Sequence, residues 1–169
     1  MSTTQTLIMA MAFALGLNGC SADEGDVPVE TTEATIGPAG GALEGSVETP
    51  FEGVHIQVPA GALAAETVLI LSTATDDTPL PEGAHAVGTQ FTLEGIDVSL
   101  GLPIRVTMPV DTTRVDDFGQ DFTMVKVWLR DPQGWKKLDA VETGIGWVTV
   151  ETDSLSTLAP GIKLETETP

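Results

Sequence analysis

Beyond residue 33, short runs rich in Val, Ile, Leu and Thr are separated by clusters of Gly, Pro and Asp. That punctuation restricts the chain most, because runs this short suit strands and are too brief for amphipathic helices. Val54, Ile56 and Val58 alternate with His55 and Gln57, the period of a strand with one face on a core. Residues 67–73 (TVLILST) form a continuous apolar run that predicts a central strand. Further strands are expected at 90–93, 104–108, 124–129, 147–151 and 158–164. Pro59, Pro103, Pro109, Pro132 and Pro160 are expected at or beyond strand ends, where a missing N–H costs least. Only 59–65 (PAGALAA) suggests a helical turn. Asp131, Pro132, Gln133 and Gly134 predict a hairpin turn between Trp128 and Trp135, and 140–150 predicts a second, turning at 144–146. Strands at this spacing predict an all-β fold, an antiparallel β-sandwich.

The amino terminus reads differently. Residues 7–17 (LIMAMAFALGL) are apolar and uncharged. The run is too short to span a bilayer as a helix and suits the core of a signal peptide, expected over 1–19. Leu17-Asn18-Gly19-Cys20 follows and contains the only cysteine. These four residues resemble the bacterial lipobox. The resemblance implies a diacylglyceryl group on the Cys20 thiol, cleavage before Cys20 and acylation of the new amino group. At ~0.8 kcal/mol per buried CH2, one acyl chain holds marginally and two or more hold stably. Ser21 in the following position implies passage to the outer membrane. Ordinary secretion, with cleavage after Ala22 and loss of Cys20, is the alternative. Residues 20–32 are then the lipidated cysteine and an acidic, apolar-poor tether.

Charge excludes some partners. The net charge is −18, which argues against nucleic acid, since phosphate binding needs clustered Lys and Arg. It also argues against electrostatic adhesion to anionic headgroups. All seven bases, Arg105 being the first, and all three tryptophans lie in the second part of the chain. The shift suggests two structural portions.

Residues 36–45 (IGPAGGALEG) and 54–63 (VHIQVPAGAL), followed by the strand at Thr67, resemble the ZU-five domain of ankyrins, netrin receptors and bacterial surface lipoproteins. The resemblance covers 33–109 and implies a ZU-five-like β-sandwich acting as a binding or scaffold module. Residues 110–164 are then a companion β portion packed against it or continuous with it, and 165–169 an acidic tail. Within the motif, Gly40 and Gly41 suit a tight turn at positive φ. Pro59 ends a ladder, Gly61 permits a bend, and Ala62 with Leu63 can plug the core.

The candidate chemical sites are few. Ser154-Leu155-Ser156 occupies the kind of position where some relatives carry a self-cleaving His-x-Ser. Serine attack on the preceding carbonyl needs a base, and Ser154 stands where the histidine would be. Asp153 is adjacent, but strand alternation directs it to the opposite face. No autoproteolysis is expected. His55 and His85 lie in different contexts without a cysteine partner, so no zinc site is expected. Asp76-Asp77 and Asp111, Asp116, Asp117 and Asp121 are calcium-type ligands, but their spacing does not match an EF-hand loop, and they read as solvated charges. Trp128, Trp135 and Trp147 read as core or inter-strand packing, with a ligand platform as the other option. No cofactor is expected. The function expected is a non-enzymatic envelope lipoprotein, attached through lipid on Cys20, that binds a protein or glycan. A hydrolase with an unrecognised carboxylate site and a purely structural spacer are the alternatives.

Overall fold

A computed structural model describes residues 30–74, 79–95 and 99–164. Cys20, the tether before residue 30, Asp76-Asp77 and the acidic tail lie outside them. Two antiparallel sheets face each other. Their strands are β1 (Thr31–Ile36), β2 (Gly41–Glu44), β3 (His55–Val58), β4 (Thr67–Thr73), β5 (Ala84–Ala86) and β6 (Phe91–Gly95). After these come β7 (Ile104–Pro109), β8 (Lys126–Asp131), β9 (Gly134–Leu138), β10 (Ala140–Gly144), β11 (Trp147–Thr152) and β12 (Thr157–Lys163). One sheet runs β1-β4-β6-β12-β8-β9, with β5 also paired to β12. The other runs β10-β11-β7-β3-β2.

Alternation decides what faces inward. On β7, Ile104, Val106 and Met108 are buried, while Arg105 and Thr107 point outward. On β4 only Leu69 and Leu71 are buried, so the apolar run has one core face rather than two, although both its edges are paired. Phe51, Phe91, Leu71, Met108 and Leu158 are among the fully buried side chains, and one core cluster draws on both sheets. Burial of apolar surface on this pattern, worth about 25 cal/mol per Å², is the main term holding the sheets together.

Strands from both sides of Pro109 intermix in each sheet. β12 lies between β6 and β8, and β7 lies between β3 and β11. The companion portion is therefore continuous with the first in one sandwich. β1 begins at Thr31, and Thr31 and Thr32 pair with Ser72 and Leu71, so the tether expected to reach residue 32 gives way earlier to a strand.

Residues 36–45 and 54–63 meet in space. Gly40 sits at φ 80° and closes a turn in which its N–H donates to the Gly37 carbonyl at 2.9 Å. A Cβ on Gly40 would lie 2.6 Å from the Val58 carbonyl oxygen and 2.8 Å from the Ala60 nitrogen. The Gly61 N–H donates to the Pro38 carbonyl at 2.9 Å, tying the corner to the turn. Gly41 does not share the turn conformation and is the first residue of β2.

Three expectations need correction. Residues 59–65 form a turn and a bend, whereas helix α1 spans Thr112–Asp117 and a 3-10 turn spans Phe122–Met124. Their caps, Asp111 and Asp121, come from the acids read above as solvated charges. Pro160 lies inside β12 rather than at a strand end. The Val87 N–H donates to the Pro160 carbonyl at 3.0 Å, so the Pro160 nitrogen faces the same side. On that side β12 pairs with β6 through Leu158 and resumes with β5 only at Gly161, so the missing N–H falls in a break of the ladder.

Candidate functional site

A cleft opens at the other end of β12, where its pairing with β6 stops at Thr157. Beyond the upper end of β6, β12 continues along β5; beyond the lower end of β12, the chain leaves the sheet. Residues 153–156 cross from β11 in one sheet to β12 in the other. They are not a strand, and four hydrogen bonds hold their path. The Ser154 N–H donates to Thr152 Oγ1, which in turn donates to the Ser154 carbonyl, both at 3.1 Å. The Ser156 hydroxyl donates to the Arg130 carbonyl. The Leu93 N–H donates to the Ser156 carbonyl at 3.0 Å. Beside this crossover lies a cleft of about 710 Å³. Thr92, Ser99, Ser154, Ser156, Glu94 and Asp153 are among the polar residues that line it. Ile70, Leu100 and Leu155 supply an apolar part.

Asp153 therefore lies with Ser154 rather than on an opposite face. The Ser154 hydroxyl donates to Asp153 Oδ1 at 3.2 Å, because strict alternation ends with β11. Ser156 has its proton engaged on a backbone carbonyl, and His55 stands on the other sheet. Chain reasoning named Ser154, Ser156 and Asp153 but not Thr92, Glu94 or Ser99. Only the meeting of β6 with the crossover brings these together, and no local pattern announces it.

The other candidates are dispersed. His55 Nδ1 approaches Glu44 Oε1 at 3.4 Å across β2 and β3. His85 lies on β5, its ring 4.9 Å from that of Phe118. Asp111 Oδ1 accepts from the N–H groups of Thr113 and Arg114 at 3.0 and 3.2 Å, capping α1. Asp121 Oδ1 accepts from the Thr123 N–H at 2.8 Å. That amide, with the Thr123 hydroxyl, holds the Asp121 carboxyl below its ordinary pKa. Asp116 and Asp117 are exposed on α1. Among the described residues, no group of three or more His, Cys, Asp or Glu is placed to hold a metal. No described helix is long and apolar enough to cross a membrane.

The tryptophans divide three ways. Trp128 is buried on the outer side of its sheet, opposite Ala159. The Trp135 indole N–H donates to the Pro79 carbonyl at 2.9 Å. Trp147 is 37% exposed and lies against Gly144, where a Cβ would come within 2.4 Å of its ring. Farther along the same sheet, Arg105 bonds Glu142 at 2.9 Å and approaches Glu151 at 3.6 Å. The Glu142 hydrogen bond, followed by its charge, raises the Arg105 pKa further. These charges satisfy one another, whereas the described residues lining the cleft include Glu94 and Asp153 and no basic side chain.

Neither the known protein families nor the curated proteins yield a match to this chain.

Proposed function

We propose that this protein is a non-enzymatic lipoprotein of the bacterial envelope, held at the outer membrane by lipid on Cys20. Its sandwich, resembling the ZU-five domain, binds a protein or a glycan. The anchor rests on the apolar run 7–17 followed by Leu17-Asn18-Gly19-Cys20. The observation that carries the binding reading is the cleft beside residues 153–156. It is about 710 Å³, within the size range of ligand sites, and is lined by apolar, hydroxyl-bearing and acidic residues.

The anchor is tested by growing cells with labelled palmitate. Label enters the wild-type protein and not Cys20→Ala, and the variant leaves the membrane fraction. Normal processing and membrane retention of Cys20→Ala would refute the anchor. The binding reading is tested by probing peptide and glycan arrays with the purified protein and with Ser154→Trp, whose indole would fill the cleft. Signals present for the wild type are lost for the variant. Equal signals, or none for either protein, leave only a structural spacer.

A further inference from the structure

We propose that the end of the sandwich where β1 begins rests on a zwitterionic lipid surface, with Ile145 and Trp147 as the inserted side chains. The inference rests on the reading of Cys20 as a lipid anchor and says how the anchored domain sits on its bilayer.

Strand pairing brings four exposed apolar side chains to that end. Thr31 opens β1 opposite Ser72, and the neighbouring Thr73 lies opposite Phe91. β12 passes Phe91 at Leu158 and reaches Lys126 at Gly161, so β8 also starts here. Met124 stands just before it, in the 3-10 turn. In the facing sheet the chain turns at Gly37–Gly40 and returns along β2, so the loop 45–54, with Val47, comes back to the same end. Pro109 ends β7 opposite Trp147, and the hairpin turn 144–146 projects beyond them. The Asp111 N–H donates to the Val87 carbonyl at 2.6 Å, tying this end of one sheet to the same end of the other.

Of the six large apolar side chains left exposed among the described residues, these are four. Val47 is 74% exposed and Ile145 83%. Of the other two, Val141 lies at the register shift of β10, and Leu102 lies at the opposite end beside Gly61. Single apolar residues on a surface are ordinary, but their gathering at one end is not. Ile145 sits between Gly144 and Gly146 in a turn, where Asn, Asp or Gly is the usual choice and isoleucine gains nothing from packing. Trp147 lays its ring against Gly144, and tryptophan suits the boundary between acyl chains and water.

Two observations name a membrane as the occupant. Thr31 is eleven positions after Cys20, and a chain of that length reaches at most about 40 Å. The lipid is therefore tied to this end and stays within that distance of it. The four side chains also share no groove. The β10–β11 hairpin stands at one edge of its sheet, the 45–54 loop follows β2 at the other, and Met124 leads into the facing sheet. Spread across the end in this way, they suit a flat surface better than a peptide. Charge selects the lipid. Glu48, Glu52, Asp116 and Asp117 share this end, and the chain carries −18, so anionic headgroups repel it. The same charge opposes a second copy.

Seated this way, the molecule turns its cleft outward. β6 runs from Phe91 at the membrane end to Gly95 at the other, and residues 153–156 follow the far end of β11. The cleft they line then opens away from the bilayer.

The test places the mature protein, with its lipid, in phosphatidylcholine vesicles with and without bromine on the acyl chains. Flotation and tryptophan fluorescence are read, since bromine quenches tryptophans that reach the acyl chains. Brominated vesicles quench the wild type, and Trp147→Phe removes the quenched part of the signal. Ile145→Ser lowers the ratio of docked to undocked protein on the order of tenfold, the scale of one large aliphatic side chain leaving an apolar environment. Leu102→Ser, at the opposite end, leaves the quenching as it is. Anionic phosphatidylglycerol in the vesicles weakens docking, most strongly at low salt. Unchanged circular dichroism and Tm show that the variants fold. Protein that floats with the vesicles without being quenched overturns this proposal and leaves the anchor standing. Protein that neither floats nor is quenched overturns both. Quenching that survives Trp147→Phe in full, or that anionic lipid strengthens, overturns the proposal. So does a dimer in detergent that Ile145→Ser dissociates, which would assign this end to a second copy.

Discussion

Gly40 holds its backbone at φ 80° with the Val58 carbonyl 2.6 Å from where a Cβ would stand. Both facts exclude a side chain: the first by conformation, the second by collision with backbone that has nowhere to move. Gly40→Ala is expected to cost about 3 kcal/mol, read as a lower urea midpoint at unchanged slope. Gly119, also at positive φ, has nothing within 4 Å of the added atom and makes the natural control, since only the conformational part applies. A turn at Gly40-Gly41 was readable from the sequence. That the turn presses on the corner at Pro59 was not, because 18 residues and two strands separate them. The acids show the opposite relation. Asp111 and Asp121 looked like solvated charge, yet each stands two residues before a Thr whose backbone N–H donates to it. The N-cap pattern was present, and the overriding β texture hid it.

Among the elements, α1 is the least self-sufficient. Six residues cannot form a stable helix alone, so it depends on Val115, which is fully buried, and on the Asp111 cap. Asp111→Ala therefore removes about 1 kcal/mol of stability, and Asp111→Asn, which keeps the acceptor, restores most of it. Chemical denaturation of the two variants checks this. The hairpins behave differently. β8–β9 and β10–β11 were legible because their turn residues lie between alternating runs, and the strands fall within a few residues of expectation. β5 was not legible: it is three residues long and exists because β12 offers it an edge. Pro160 belongs to the same class of features. It is tolerated inside a buried strand because two different strands share one edge of β12 and leave a gap between them.

At the scale of the whole molecule, the pairing order forbids a division at Pro109. β12 joins β6 and β5 to β8, and β11 lies against β7, so the first portion lacks the partners that complete either sheet. A fragment of residues 30–109 should thus show no cooperative unfolding transition, while residues 30–164 unfold in a single one. Circular dichroism during urea titration distinguishes the two. A cooperative transition in the shorter fragment would show that the first portion folds by itself.

The sequence by itself determined the strand texture, the two late hairpins, the all-β class and the glycine turn, because each depends on neighbours within a few residues. It also supplied the case for lipid on Cys20, which depends on four consecutive residues. Only the tertiary structure decided which strands neighbour which, and hence that one sandwich uses both portions. It alone decided that Glu94, from β6, and Asp153, from the crossover, line one cleft. The physical reason is that a β-sandwich draws its contacts from residues far apart in the chain. Local propensity can place a strand, but the register and order of strands follow from how two apolar faces are buried together.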